Sequence, residues 1–349
     1  MDPSLRLTRN AGVEIVNANE LFSQLVQAEG GPCVLDRAYL LYHGRSAGPA
    51  AKFGLGGELF LDHPDRSMLR QQAATFLADY WQRFPAAVHQ FLPNHARKTK
   101  GFKVNPLALI EKDIAGSDVE TPYSGALFGP VDVGLPNDDI APHQARTLIV
   151  EPDSEESSFI RVAMPLCDPN GSSPNSTPQF DTLLSAFLDW CSLFKPRHGS
   201  AGFTLIVSPG MEQNSVQCLQ LMKRFPGLDF PDPVRFIGET EGVRNRIKCV
   251  NWLTVLGDPL VEELGGLAAL RSSLTPACTV HLYDGGILIQ AGETPRLGDT
   301  EKGDIPEEYQ RVARATQPVR FEDYPSALFR VAPGLDKKKE TLAWIRRFD

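Results

Sequence analysis

The chain has 349 residues, of which 42% are apolar and 22% charged. That excludes a disordered chain, because there is enough apolar surface to offset the entropy of folding. No apolar run approaches the ~20 residues needed to cross a bilayer, and the opening MDPSLRLTRN lacks an apolar stretch behind a basic one, so neither a membrane span nor a secretory leader is expected.

The net charge of −8 is unevenly spread. Between Glu111 and Ser157 eleven acidic residues face only Lys112 and Arg146, which leaves the remainder of the chain about neutral. Just upstream, Arg83, Arg97, Lys98, Lys100 and Lys103 form a basic patch. The six cysteines, Cys33, Cys167, Cys191, Cys218, Cys249 and Cys278, include no CxxC pair. They are expected as free, mostly buried thiols in a reducing cytoplasm.

In chain order, the first thirty residues suggest a short strand and a short helix ending at Gly30-Gly31-Pro32. VLDRAYLLYH predicts a strand over 34–43, and GELFLDH predicts another around Leu59 and Leu61. The glycines Gly54, Gly56 and Gly57 precede that strand, so they read as a turn and fail the context of a dinucleotide loop.

From Asp65 to Phe84, Leu69, Ala73, Phe76, Leu77, Tyr80 and Phe84 recur at helical spacing, with Asp65 as the cap and Pro85 as the stop. Residues 93–145 read as loop-rich. RTLIVE and SFIRVAMPL are two strands joined by the acidic loop PDSEES.

After the break DPNGSSPNST, a helix capped by Ser176 or Thr177 carries Phe180, Leu183, Leu184, Phe187, Leu188, Cys191 and Phe194 on its apolar face. AGFTLIVS is a buried strand, followed by a helix around 213–225. IKCVNWLTVL predicts a strand over 247–256, which passes into a helix capped by Asp258 with Pro259 in its first turn. Gly265 and Gly266 fall inside that helix and suggest a close backbone contact. CTVHLYDGGILIQAG is a hairpin turning at Asp284-Gly285-Gly286, and a charged helix ends the chain. Strands and helices are mixed rather than alternating. The expected fold is α+β, with mixed or mostly antiparallel sheets flanked by helices, either as one compact domain or as two closely packed lobes, 1–166 and 167–349.

Motifs for chemistry are largely missing. No GxxxxGK[ST] is present, no two histidines share a metal-ligand spacing, and Cys191 lies on an apolar helix face. Pro64-Asp65, Pro152-Asp153 and Pro231-Asp232 match half of an acidic-nuclease motif, but the only second half, Asp336-Lys337-Lys338, opens a helix instead of lying on a strand. The basic segment ARKTKGFK reads as a solvated loop or as an internal partner of the acidic one.

The segment VNWLTVLGDPLVEELGG (250–266), followed by LYDGGILIQAGETPRLGDTEKGDIPEEYQRVARATQPVRF (282–321), resembles the type VI secretion immunity proteins. The likeness runs through Trp252, Gly257-Asp258-Pro259, the Gly265-Gly266 pair, the glycine hairpin, Ala291-Gly292, Pro295, Leu297-Gly298-Asp299, Tyr309, Pro318 and Arg320, and extends more loosely over residues 35–330. It implies a protein that neutralises a polymorphic toxin, often a nuclease encoded nearby. The family offers no catalytic motif to carry over.

A nuclease must present a basic surface to its substrate, and carboxylates can cover such a surface. The expected toxin contacts are Asp138, Asp139, Asp153, Glu155 and Glu156. No enzymatic activity, cofactor, metal, direct nucleic-acid binding or membrane contact is expected, and the oligomeric state is open. The alternative is a small hydrolase assembled from scattered residues. An apolar pocket with converging titratable groups would mark the hydrolase, and an exposed acidic groove would mark the inhibitor.

Overall fold

The computed structural model describes residues 6–7, 32–37, 39–41, 49–131, 139–167, 177–208, 210 and 215–349. Its strands are β1 (Arg6–Leu7), β2 (Tyr39–Leu41), β3 (Pro49–Leu61), β4 (Gln90–Leu92), β5 (Lys100–Gly101), β6 (Tyr123–Phe128), β7 (Gln144–Ile149), β8 (Ser158–Met164), β9 (His198–Ile206), β10 (Leu253–Gly257), β11 (Cys278–Tyr283) and β12 (Gly286–Ala291). They form one sheet in the order β11-β12-β10-β9-β3-β8-β7-β6-β4-β5, with β2 joining β3 and β1 joining β2. Every pairing except β1–β2 is antiparallel. The fold is α+β with a mostly antiparallel sheet.

β3 is the centre of the sheet. Its thirteen residues are buried throughout, and it pairs with β8 on one side and β9 on the other. Gly54, Gly56 and Gly57 lie inside this strand, not in the expected turn. A Cβ on Gly57 would stand 2.6 Å from the Phe187 ring, so the missing side chain lets a helix press onto the sheet. By alternation, Leu55 and Leu59 share that face with Gly57.

Two helices cover it, Arg66–Arg83 and Phe180–Phe194. The first starts as the sequence indicates, with the Asp65 carboxylate accepting the Met68 amide at 2.9 Å. Phe76 meets Trp190 edge-on at 5.2 Å between ring centres, and the Trp190 indole N–H donates to Asp79 at 2.8 Å. On the opposite face Phe60 stacks on His198 and touches Phe236, and Glu58 meets Lys248. One apolar core runs from Leu35 to Phe348.

Several local expectations give way to tertiary contacts. The predicted strand over 34–43 is a 3-10 helix, Pro32–Arg37, followed by the short β2. The Asp36 carboxylate accepts the amides of Leu166 (2.6 Å) and Cys167 (2.9 Å), and Cys33 is disulfide-bonded to Cys167. This corrects the expectation of free thiols for that pair. The bond joins residues 134 apart in sequence, a pairing that spacing does not reveal. Cys191, Cys218, Cys249 and Cys278 are free and buried.

The stretch read as loop-rich, 93–145, contains β5, the helix Leu107–Ala115 and β6, elements too short to show a clear period. In 247–256 only Leu253–Gly257 is strand. The Asn251 side chain takes the Trp252 amide at 2.8 Å, and the Thr254 hydroxyl donates to the Asn251 carbonyl, so local bonds replace a ladder there. The helix at Asp258 is capped by Gly257, with Asp258 in its first turn. It ends at Glu263, and a second helix spans Gly266–Leu274. Gly265 and Gly266 both have positive φ (89° and 87°), so they break the helix and do not serve a close backbone contact. The helix after the 168–176 break begins at Phe180 with Gln179 at its cap position. Ser176, one of the two expected caps, lies outside the described residues, as does the helix expected in the first thirty.

Candidate functional site

The loop PDSEES does form the tip of a hairpin. β7 and β8 pair from Gln144↔Ala163 to Leu148↔Phe159, and the chain reverses over 150–157. The Ser158 hydroxyl accepts the Val150 amide (3.1 Å) and the Ser154 amide donates to the Glu151 carbonyl (3.2 Å), which closes the turn. Asp153 and Glu155 are exposed and Glu156 is half-buried.

This tip is not isolated. The Gly242 amide donates to the Glu155 carbonyl at 3.3 Å, and the Glu156 carboxylate reaches the face of Gly238. The Glu156 carboxyl is raised above its ordinary value by burial, and further by the negative charges of Glu241 and Glu151. Sequence reading missed Glu241, 85 residues downstream of Glu156, because only the fold brings it to the tip.

Behind Gly242 opens a cleft of about 1030 Å³ between the segments 239–246 and 317–325. Its two walls join where the Ile247 amide donates to Val319 (2.8 Å) and the Phe321 amide donates to Ile247 (3.0 Å). The arginines of the cleft are committed to the protein's own acids. Arg244 pairs with Asp62 at 2.5 Å and Arg246 with Glu263 at 3.0 Å. Arg320, 3% exposed, holds Asp349 with two nitrogens (2.5 and 2.7 Å) and Glu322 with a third (2.8 Å). Glu241 and Asp323 are exposed and enter no ion pair within 4.0 Å among the described residues. Tip and cleft rim therefore form one surface rich in uncompensated carboxylates.

The other two expected contacts are elsewhere. Asp138 lies outside the described residues. Asp139 is exposed beside Ile140, whose carbonyl accepts the Lys52 ammonium at 3.0 Å. It stands at the Gln144 end of the β7–β8 hairpin, about 20 Å from the tip by the length of β8. The structure thus brings Asp153, Glu155 and Glu156 together and leaves Asp139 apart. Arg97, Lys98, Lys100 and Lys103 are exposed and form no ion pair with the acidic stretch among the described residues; Lys100 lies in the short edge strand β5. Arg83 is bound to Asp79 and Asp189.

Titratable groups do converge at one further place, inside the core. The Lys248 ammonium lies 3.2 Å from both Glu58 oxygens and 3.8 Å from Asp229, and the Cys249 thiol lies 3.6 Å from the Ser200 hydroxyl. Burial raises the Glu58 carboxyl to about 7, assisted by Asp229, and raises the Cys249 thiol to about 11. Burial and the nearby Arg197 and Lys248 hold His198 well below 6.5. A protonated thiol, a neutral imidazole and side chains at most 6% exposed make a structural ion cluster and not an activated nucleophile. None of these residues lines the cleft. Among the described residues no group of three or more His, Cys, Asp and Glu side chains could hold a metal ion, and no helix is long and apolar enough to cross a membrane.

Comparison with known proteins places this geometry. The chain is similar over 95% of its length, and over 91% of the other, to the Pseudomonas aeruginosa T6SS protein PA0821, with a TM-score of 0.73 and 20% identity, which establishes a shared fold. No curated protein matches it. The family model described as TsiV, type VI immunity for VRR-NUC, matches residues 151–348, more than half of the chain. That span includes the hairpin tip and both cleft walls but not Asp138 or Asp139. The chain belongs to the TsiV family of type VI immunity proteins.

Proposed function

We propose that this protein binds a VRR-NUC nuclease toxin and neutralises it by covering the toxin's basic substrate-binding surface. The observation that carries the reading is the continuity of the acidic tip with the Glu241 wall of the cleft, inside the segment that defines the family. A nuclease must attract phosphates, and a surface of uncompensated carboxylates competes for the same charges and steers association. Asp153, Glu155 and Glu156 form the central contact. Asp138 and Asp139 are further contacts in this reading, with Asp139 at the other end of the hairpin.

The protein acts as a stoichiometric inhibitor, with no catalytic step and no nucleic acid of its own to bind. It works in the cytoplasm, because a nuclease is harmful where nucleic acid is found. This placement no longer draws on the cysteines, since Cys33 and Cys167 are bonded.

The test is DNA cleavage by the VRR-NUC toxin of the neighbouring locus, titrated with this protein. Cleavage is expected to fall to background at one equivalent, with affinity in the nanomolar range or tighter. Unchanged cleavage at a large excess would contradict the reading.

A further inference from the structure

The cleft behind the acidic tip has the wrong lining for a small-molecule site, which is mostly apolar with a few polar groups. Here charged side chains dominate, and the exposed apolar residues of the lining are Val243, 39% exposed, on one wall and Pro325 on the other. Val234, 50% exposed, sits one helical turn before Gly238, on the same face of its helix as the point that Glu156 reaches. The surface between tip and cleft therefore joins two exposed valines to a rim of carboxylates.

The charge on this surface is directional. Each arginine in the cleft has an internal carboxylate partner, as described above, whereas Glu241 and Asp323 are left facing solvent from opposite walls. An incoming anion would have to compete with a carboxylate already bound to each arginine that lines the cleft. An incoming cation would find two carboxylates without displacing any existing pair.

We infer that the cleft receives a protruding segment of the nuclease toxin that carries a lysine or arginine beside an apolar residue, the cation between Glu241 and Asp323 and the apolar side chain against Val243. The inference rests on the immunity reading and adds a second element to it. The tip supplies long-range attraction, and the cleft supplies the desolvated anchor that slows dissociation. Its volume of about 1030 Å³ accommodates a few side chains of such a segment.

The experiment measures association and dissociation of the purified VRR-NUC toxin with full-length wild type, Val243→Arg, and the pair Glu241→Lys with Asp323→Lys. All three positions are exposed, so unchanged melting temperatures serve as the check on folding. Each cleft variant is expected to bind at least tenfold more weakly, mainly through faster dissociation. Wild-type binding by both variants would overturn the cleft as an anchor while leaving immunity intact. A wild type that fails to bind the toxin would overturn the immunity reading itself.

Discussion

The amide of Gly242 donates to the carbonyl oxygen of Glu155 at 3.3 Å, and this bond fastens the acidic hairpin tip to the wall of the cleft. Residues far apart in sequence become one surface through it. Glu151, Asp153, Glu155 and Glu156 come from the β7–β8 turn, and Glu241 comes from the loop after the helix Pro233–Glu239. The expected behaviours below follow from that surface and from the core that supports it.

Exposed carboxylates that steer a partner act on association more than on stability. Changing Asp153, Glu155 and Glu156 together to Ala is expected to slow toxin association roughly tenfold or more at low salt and to flatten its salt dependence. The melting temperature should barely move, because Asp153 and Glu155 are exposed and the half-buried Glu156 carboxyl makes no ion pair among the described residues. Stopped-flow association at several ionic strengths, with a thermal melt of the same samples, checks both parts.

Binding a cationic surface stabilises the charged form of each carboxylate, so the complex holds these protons less tightly than the free protein does. Affinity is therefore expected to fall as the solution is acidified. Glu156 should protonate early, since its carboxyl is already raised by burial and by Glu241 and Glu151. Calorimetry across pH should show proton release on binding at the acid end, and Glu156→Gln should reduce it.

In the core, Lys248 stands between Glu58 and Asp229. Lys248→Met removes the cation that the buried Asp229 and Glu58 carboxyl groups share and is expected to cost about 3–5 kcal/mol. Adding Glu58→Gln should recover part of this loss. The pH dependence has a definite sign. Glu58 holds its proton up to about 7 when folded and only to its ordinary 4.5 when unfolded, so its contribution is present at acid pH and is lost as pH rises through about 7. His198 acts oppositely. It is held neutral when folded and charges on unfolding below 6.5, so stability falls with acid there. Urea denaturation from pH 5 to 8 should show the decline towards pH 8 in the wild type and a flatter profile in Glu58→Gln.

The bond between Cys33 and Cys167 closes a loop of 134 residues and, with Asp36, fastens the Pro32–Arg37 helix to the end of β8. Reduction is expected to destabilise the protein by roughly 2–5 kcal/mol through the entropy of the unfolded chain. The double change Cys33→Ser with Cys167→Ser should reproduce this effect and be insensitive to reductant. Equal denaturation midpoints for the oxidised and reduced wild type would contradict it.

Elements governed by their own residues were legible in the sequence. The Arg66–Arg83 helix announces itself by its apolar spacing and the Asp65 cap, and the β11–β12 hairpin by Asp284-Gly285-Gly286. Positions governed by distant partners were not. Gly57 looks like a turn until Phe187 is seen against it, and Asp36 looks like part of a strand until its contact with the amides of Leu166 and Cys167 is known. The site divides the same way. The acids of the tip stand in one short loop and could be read directly, whereas Glu241, Asp323 and Val243 join them only through the fold. Asp139 shows the limit from the other side, close in sequence to the tip yet at the far end of the hairpin.

The most direct test of the central claim is survival of cells that express the VRR-NUC toxin of the neighbouring locus together with this protein. Wild type is expected to restore growth, and a folded variant with Asp153, Glu155 and Glu156 changed to Ala should fail to. Growth with both proteins would keep immunity and remove the tip from the interface. Death in the presence of folded, expressed wild type would contradict the account.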